Sequence, residues 1–205
     1  MDEPARWEAI YTSSAPEDRS WTEGSPVVSL RLLDAYADPA RGVVDVGAGT
    51  STLVDHLIAR GWSPVTVVDL SAAALDVVDE RLGPCPSLEL LIGDVTAIEV
   101  PARYGAWHDR AVLHFLVDED DQAAYADAAV SALVTGGVAV IGCFAPDGPE
   151  RCSGLEVVRR DAEALAELFG ERFELLASEV VAHTTPWGAS QPFTWVVLRR
   201  RSDAD

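Results

Sequence analysis

Short apolar runs alternate along the chain with segments of helical period, and the first clear case begins at residue 43. Residues 43–46 form a β-branched run with one acid in it, glycines follow at 47 and 49, and an amphipathic segment starts at Leu53. A nearly continuous apolar run of this kind is typical of a strand that is buried on both faces. The pattern predicts a parallel strand, a tight glycine turn and a helix in succession.

The same alternation continues toward the end of the chain. Further strands are predicted at residues 63–70, 88–92, 106–110 and 136–144, and helices at 53–60, 71–82, 118–133 and 161–169. Two last apolar runs, 173–183 and 193–200, follow each other with a long, ligand-sized connector between them, which predicts an antiparallel hairpin at one edge of the sheet. The fold class is therefore α/β.

Residues 1–42 precede this alternation and are predicted to form a helical cap or lid over a core of residues 43–200. They contain a short helix at 6–11, a polar loop that ends at Trp21, and an amphipathic helix at 25–36. Trp21 either anchors the loop on the core or closes over a bound ligand. With 205 residues and 48% hydrophobic content, the chain is expected to fold as a single domain.

Charge excludes one class of partner. The chain has 34 acidic and 15 basic residues and a formal charge of −19, so its surface would repel a nucleic-acid backbone. Its three cysteines are too few and too widely spaced for a disulfide framework or a zinc site, and no metal is expected. The sequence shows neither a leader pattern nor a long apolar stretch, and we expect a cytoplasmic protein that has no membrane partner.

The glycine turn suits a ligand without phosphates. A dinucleotide fingerprint would place a third small residue where Thr52 stands, and a phosphate-binding P-loop needs a lysine, of which the chain has none. S-adenosyl-L-methionine is a nucleoside ligand without phosphates. It needs close approach to the backbone, which Gly47 and Gly49 allow, and an acid near its ammonium group. Asp45 can supply that acid directly or through water.

Two more acids follow the next two strands. Asp69 comes 20 residues after Gly49, where an acid at a strand end can bind the hydroxyls of a ribose. Asp94 follows the third strand and can accept a hydrogen bond from an adenine amino group, with Leu70 and Val95 packing on the ring; alternatively, Asp94 caps a local turn. We expect the three carboxylates to surround one ligand.

These motifs together resemble the seven-stranded class I S-adenosylmethionine-dependent methyltransferases. The matching segments are VVDVGAGTS, Asp69, GDV at 93–95, HDRAVLHFL at 108–116 and TGGVAVI at 135–141, within a likeness that covers residues 6–200. The resemblance implies a three-layer αβα sandwich with sheet order 3-2-1-4-5-7-6 and an antiparallel seventh strand. It also implies that S-adenosylhomocysteine is the product and that the cofactor site comprises Asp45, Gly47, Ala48, Gly49, Asp69, Leu70, Asp94, Val95 and Asp109, with Trp21 as a further candidate.

The N-terminal segment narrows the resemblance. A W-E-x-x-Y pattern, a loop that ends in S-W, and a helix are similar to a bacterial subgroup of small methyltransferases, and somewhat to protein-lysine methyltransferases. The N/D-P-P-F/Y motif that marks methylation of nucleobase amino groups is missing from the fourth-strand region. Nucleobase chemistry is therefore disfavoured.

The candidate catalytic residues are His114, His183 and Arg110. Methyl transfer needs an unprotonated nucleophile in line with the methyl group and the leaving sulfur, and a base is optional because positioning supplies much of the rate. His114 is the first candidate base and His183 the second, since histidine can be neutral near pH 7. Either can instead be a hydrogen-bonded structural histidine.

Arginines and tryptophans supply the candidate substrate contacts. Arg110 and Arg151 are predicted near the carboxyl edge of the sheet, where they can bind a substrate carboxylate; alternatively, they pair with nearby acids such as Asp109. Trp187 can wall the substrate together with Trp21, or can plug the hairpin turn.

The resulting hypothesis is a methyltransferase that modifies an oxygen, nitrogen or sulfur atom of a small molecule. Two alternatives are a protein-lysine methyltransferase and a module that binds S-adenosylmethionine without catalysis. The expected assembly is a monomer or a homodimer.

Overall fold

The structure is a computed structural model that describes residues 3–98 and 103–202. Its helices are α1 (Glu3–Ser13), α2 (Val27–Tyr36), α3 (Leu53–Ala59), α4 (Ala72–Leu82), α5 (Glu119–Ala132) and α6 (Ala162–Phe169). Its strands are β1 (Val43–Val46), β2 (Val65–Asp69), β3 (Leu88–Ile92), β4 (Tyr104–Arg110), β5 (Leu133–Phe144), β6 (Arg151–Cys152), β7 (Leu155–Glu156), β8 (Phe173–Thr184) and β9 (Ser190–Arg200). Within these two stretches of chain, no helix has the length and apolarity that crossing a bilayer requires.

Seven of these strands form one sheet in the order β3-β2-β1-β4-β5-β9-β8. Strands β1 to β5 pair in parallel, whereas β9 runs antiparallel to both of its neighbours. Counted over this sheet alone, the order is 3-2-1-4-5-7-6 with an antiparallel seventh strand. The predicted α/β class and sheet order are therefore confirmed.

The hydrophobic core lies on both faces of the sheet. One cluster includes Val43 of β1 with Leu33 of α2 and Leu57 of α3, and the other includes Val44 with Tyr125 of α5. Successive side chains of a strand point to opposite faces, so Asp45 shares its face with Val43. The side chain of Asp45 is therefore directed toward the layer of α2 and α3.

Strand β5 differs from its prediction. The strand was predicted at residues 136–144, but β5 already begins at Leu133 and includes Gly136 and Gly137. The pairing with β4 shifts register between Tyr104 and Ala106, and Gly136 has a φ of +80°. A glycine at an irregularity of this kind lets the strand continue where other residues would end it.

The region after β5 also differs in two places. Residues 145–160, for which no strand was predicted, contain the short hairpin β6–β7. The predicted long connector between the last two strands is wrong, since β8 and β9 extend into it and leave a tight turn. In that turn the Thr185 N–H donates to Ala189 O at 2.8 Å and the Ala189 N–H to Thr185 Oγ1 at 2.9 Å, with Gly188 at a φ of +85°.

Candidate active site

A cavity of about 910 Å³, counting the part open to solvent, lies at the carboxyl ends of β1 to β4. We call it the first chamber. Its floor includes Gly47, Asp69, Leu70, Asp94 and Val95, all of them predicted cofactor residues. Its remaining walls include Trp7, Tyr11 and Trp21 from the N-terminal segment and Arg110, Val112 and Phe115 from the end of β4 onward.

Asp69 is the most buried carboxylate of the first chamber. Its Oδ2 accepts a hydrogen bond from the Gly49 N–H and its Oδ1 one from the Ser71 N–H, both at 2.8 Å. Burial raises the pKa of Asp69 to about 6, although the backbone N–H groups of Ser71, Gly49 and Leu70 oppose this shift. Each oxygen has a second lone-pair site, so the carboxylate can still accept from two ligand hydroxyls.

Asp94 is exposed at the mouth of the same chamber. Its Oδ1 accepts from the Thr96 N–H at 2.8 Å and from the Thr96 hydroxyl at 2.7 Å, which is the turn-capping geometry considered as the alternative for this residue. Both contacts use Oδ1, so Oδ2 takes no part in the turn. Leu70 and Val95 line the chamber beside it.

The glycine turn allows a close approach to the backbone. Gly47 and Gly49 have φ angles of +57° and +54°, which side chains rarely adopt. A Cβ on Gly47 would lie 2.0 Å from Val112 Cγ2, and one on Gly49 would lie 2.1 Å from Tyr11 Oη. Both positions therefore require glycine in this structure.

Asp45 faces a second cavity, which we call the second chamber. It has about 1080 Å³, counting open space, and its lining includes Asp45, Ala48 and His108. It shares Gly47, Trp21 and Arg110 with the first chamber. The three carboxylates therefore line two cavities: Asp45 lies inside β1 and points to the α2 and α3 face, whereas Asp69 and Asp94 lie at strand ends and line the first chamber. That they surround one ligand stays a prediction.

Two residues that line the second chamber each have a buried polar atom without a hydrogen-bond partner. Asp45 Oδ1 lies 2.7 Å from His108 Nδ1, but Asp45 Oδ2 has no partner. Arg110 Nη1 donates to the Trp21 carbonyl at 2.8 Å, and Arg110 Nη2 lies 3.2 Å from Glu23 Oε1 without forming a hydrogen bond. Glu23, and not the acids weighed from the sequence, is thus the ion-pair partner of Arg110.

Residues 3–26, which we call the N-terminal cover, lie over both chambers. Trp21 packs edge-to-face with Trp7 and Tyr11, at centroid distances of 5.9 and 6.4 Å. Glu8 Oε2 accepts from the Ser71 hydroxyl at 2.7 Å and from the Ala73 N–H at 3.1 Å, and these bonds lower the pKa of Glu8. The cover is thereby tied to the start of α4.

His183, the second candidate base, also holds the cover. Its Nε2 lies 2.6 Å from the Ser20 carbonyl oxygen, so this nitrogen carries the proton and donates it. Its Nδ1 lies 3.8 Å from Glu23 Oε1. Burial lowers the pKa of His183, with a further contribution from Arg110. His183 does not line either chamber.

His114, the first candidate base, lies in the core. It is fully buried, with ring centroids 4.4 Å from Phe115 and 4.6 Å from Phe144, and neither ring nitrogen has a hydrogen-bond partner. Burial lowers its pKa to about 3. The side chain lines neither chamber, so the structure brings it into contact with neither candidate ligand space.

Asp109 likewise lies outside the chambers. Its Oδ1 accepts from the Val112 N–H at 2.9 Å, and its Oδ2 accepts from the Leu113 N–H at 3.0 Å and from the Tyr125 hydroxyl at 2.6 Å. Burial raises its pKa to about 6. In this structure Asp109 shapes the turn that follows β4.

Arg151 and Trp187 line a third cavity, the outer cleft, together with Arg6 and Arg19. The one acid in its lining is Asp18, and Trp187 is 59% exposed there. Trp21 and Cys152 line both the outer cleft and the first chamber, so the two spaces are neighbours. The cleft is locally basic in a strongly acidic chain.

Four residues that line the two chambers were not predicted as site residues from the sequence: His108, Ser29, Tyr11 and Glu23. His108 reaches Asp45 because the two residues are paired across β4 and β1, and Ser29 reaches His108 from α2. Such contacts between distant segments leave no local signal in the sequence. In the described part of the chain, no group of three or more His, Cys, Asp or Glu side chains could hold a metal ion.

Comparison with known proteins agrees with this geometry. Residues 43–137 match the family model described as a methyltransferase domain. No curated protein sequence matched the chain.

Solved structures share the fold at low sequence identity. A structure from work on conversion of a disulfide bond into a thioacetal group during echinomycin biosynthesis is 22% identical and covers 98% of this chain and 94% of its own, with a TM-score of 0.78. The N-methyltransferase NodS from Bradyrhizobium japonicum, in complex with S-adenosylhomocysteine, is 15% identical over 98% of this chain and 100% of its own, with a TM-score of 0.75. A third structure is the 1,6-didemethyltoxoflavin N1-methyltransferase from Burkholderia thailandensis, bound to 1,6-didemethyltoxoflavin and S-adenosylhomocysteine. It is 21% identical and covers 97% of this chain and 87% of its own, with a TM-score of 0.73.

Residues 43–137 thus match a methyltransferase domain, and the sheet order is that of the class I, Rossmann-like methyltransferase fold. The resemblance to the class I methyltransferases and the fold that it implies are therefore confirmed, and the bacterial subgroup stays a prediction.

Proposed function

We propose that the protein binds S-adenosylmethionine across both chambers and transfers its methyl group to an oxygen, nitrogen or sulfur atom of a small molecule. The observation that carries this proposal is the pair of unpartnered buried atoms facing the second chamber, Asp45 Oδ2 and Arg110 Nη2. Their opposite charges match the ammonium and carboxylate groups of an amino acid. A buried polar atom without a hydrogen-bond partner is costly, so a ligand that supplies the missing partner to both atoms would be favoured.

The first chamber fits the adenosine half. Asp69 can accept from the two ribose hydroxyls, and Asp94 lies where an adenine amino group can donate to Oδ2. Leu70 and Val95 offer apolar contacts for the ring. The shared residue Gly47 joins this chamber to the second one, where the bare backbone of the glycine turn would let the sulfonium segment pass.

The side chains around the first chamber favour catalysis by positioning. S-adenosylmethionine would supply an electrophilic methyl group on its sulfonium, leaving S-adenosylhomocysteine as the product. Burial raises the pKa of Tyr11 and of Cys152, so neither is suited to take a proton near neutral pH. We therefore infer that the acceptor arrives with its nucleophile unprotonated, and that the chain orients it and excludes water.

The outer cleft is the proposed acceptor entrance. Arg6 and Arg151 would favour a small organic anion over a neutral compound, since they concentrate positive charge in a chain of net charge −19. Trp187 and Trp21 offer aromatic surfaces to such a molecule. The similarity to small-molecule N-methyltransferases supports an acceptor of this size, with nitrogen among the candidate atoms.

Two measurements test the proposal. Calorimetry should show binding of S-adenosylmethionine and S-adenosylhomocysteine to the wild type and a large loss of affinity in Asp69→Ala, with the thermal unfolding of the variant still cooperative. Labelled methyl groups should then enter the low-mass fraction of a cell extract. Failure of both ligands to bind would refute the cofactor assignment. Label found only on proteins would replace the small-molecule acceptor with a protein, and binding without any transfer would indicate a non-catalytic module.

A further inference from the structure

A chain of three polar side chains crosses the layers at the wall of the second chamber, and all three residues line it. Ser29 on α2, His108 on β4 and Asp45 on β1 are exposed by 1%, 3% and 2%. His108 Nε2 lies 2.9 Å from Ser29 Oγ, and His108 Nδ1 lies 2.7 Å from Asp45 Oδ1. Because an ionised carboxylate only accepts hydrogen bonds, Nδ1 carries the proton in the second contact.

This arrangement fixes one oxygen of Asp45 and leaves the other available. Asp45 and His108 are directly paired across the parallel strands β1 and β4, so the backbone sets the distance between their side chains. The hydrogen bond to Ser29 and packing beside Trp195, at a centroid distance of 6.3 Å, hold the imidazole ring. With Oδ1 held by the ring, the carboxylate can rotate little. Asp45 lines the second chamber, and its Oδ2 is buried there without a hydrogen-bond partner.

The charge balance supports the same interpretation. Among the described residues, the ion-pair partner within reach of Asp45 is His108. Arg110 and Arg81 also line the second chamber, but Arg110 lies by Glu23 and Arg81 is bonded to Asp55. Asp45 Oδ2 is therefore left for a cation that enters the chamber.

We propose that His108, itself held by Ser29, is a positioning residue that aims Asp45 Oδ2 at the ammonium group of the bound adenosyl amino acid. This inference rests on the proposed function, because it assigns the second chamber to the amino-acid end of that ligand. It adds a role for two residues that need not touch the ligand.

The role can be isolated with a pair of ligands. One is S-adenosylhomocysteine, and the other is its analogue that lacks only the amino group. Calorimetry on the wild type should show preference for the amino-bearing ligand. In His108→Leu this preference should shrink by about tenfold, the size expected for a lost hydrogen bond to a charged group. The affinity for the deaminated analogue should stay within about twofold, because that analogue does not use Asp45 Oδ2.

Three further variants complete the experiment. His108→Asn keeps an N–H near the position of Nδ1 and should restore most of the preference. Ser29→Ala should give a smaller loss of the preference for the amino-bearing ligand. It tests the positioning role even if His108→Leu fails to fold. Thr66→Val is the matched control, because it removes a buried hydrogen bond between Thr66 and Tyr104, and neither of these residues lines a chamber. This variant should change the stability of the protein but not its ligand preference.

The outcomes separate the two proposals. If the wild type binds S-adenosylhomocysteine and His108→Leu and Ser29→Ala keep the full preference for it, or lose affinity for both ligands equally, the positioning role is wrong while the proposed function stands. If the wild type binds neither ligand, the proposed function itself fails.

Discussion

Lowering the pH should weaken cofactor binding through one carboxyl group. Asp69 is 6% exposed, and burial raises its pKa from 3.8 to about 6. Ribose hydroxyls donate hydrogen bonds, so they favour the ionised form of Asp69. A proton and the ligand therefore compete for this side chain, and affinity should fall as the pH drops through about 6.

The magnitude follows from the same pKa. At pH 5 about one Asp69 in eleven is ionised, so the dissociation constant of S-adenosylhomocysteine should rise up to about tenfold relative to pH 8, or about 1.4 kcal/mol. The unliganded protein should respond in the opposite direction. A carboxyl group with a raised folded-state pKa contributes stability below about pH 4, and that contribution, up to about 3 kcal/mol, is lost as the pH rises through 6.

Calorimetric titration from pH 5 to 8 would measure how the dissociation constant of S-adenosylhomocysteine changes with pH. Chemical unfolding over the same range would measure how the free energy of unfolding changes with pH. Asp69→Asn is the matched control because it keeps the size of the side chain and removes its titration. Asp109, whose pKa is also raised to about 6, still titrates in that variant, so it cannot account for a difference between the two proteins. A wild-type dissociation constant that is flat between pH 5 and 8, or an equal slope in Asp69→Asn, would refute the reasoning.

Three further predictions concern the cover, the core and the outer cleft. Gly49→Ala should destabilise the protein by at least about 1–2 kcal/mol, since its φ of +54° disfavours a side chain and its Cβ would meet Tyr11. Urea unfolding should show a smaller cost in a Tyr11→Ala background, and additive costs would contradict the clash. His114→Leu should retain methyl transfer and not lower the melting temperature, because it removes two buried nitrogens without partners; lost turnover with normal cofactor binding would restore His114 as a base. Arg151→Ala and Trp187→Ala should slow label transfer at low acceptor concentration and leave the dissociation constant of S-adenosylhomocysteine unchanged, whereas unchanged transfer would move the entrance elsewhere.

The parts of the fold that were predictable are those set by local patterns. Residues 43–46 have the composition of a buried strand, and Gly47 and Gly49 mark the turn, because each signal lies within a few neighbouring positions. The acids that follow the strands were found for the same reason. Which chamber each acid faces was not predictable for Asp45, because its orientation depends on the pleat and on the helices that cover that face.

His114 and His108 show what local sequence patterns do not predict. His114 stands in the sequence where a catalytic residue at the sheet edge is expected, but the carboxylate of Asp109 binds the N–H groups of Val112 and Leu113 and so bends the chain after β4 into a helical turn. That turn places His114 in the core. His108 sits within a strand and shows no motif, yet strand pairing brings it to Asp45.

Arg110 links the N-terminal cover to the proposed amino-acid end of the ligand. One of its nitrogens holds the Trp21 carbonyl of the cover, while the other lies between Glu23 and the second chamber. A ligand carboxylate that bound Nη2 would therefore compete with Glu23, whose pKa burial already raises. When the ligand carboxylate takes its place beside Arg110, Glu23 can take up a proton. The net buried charge then stays the same, and Arg110 Nη1 keeps its hydrogen bond to the Trp21 carbonyl. Arg110 thus contributes both to holding the cover, beside Glu8 and His183, and to the proposed recognition of the ligand's amino-acid end, and a change at Arg110 should affect both together.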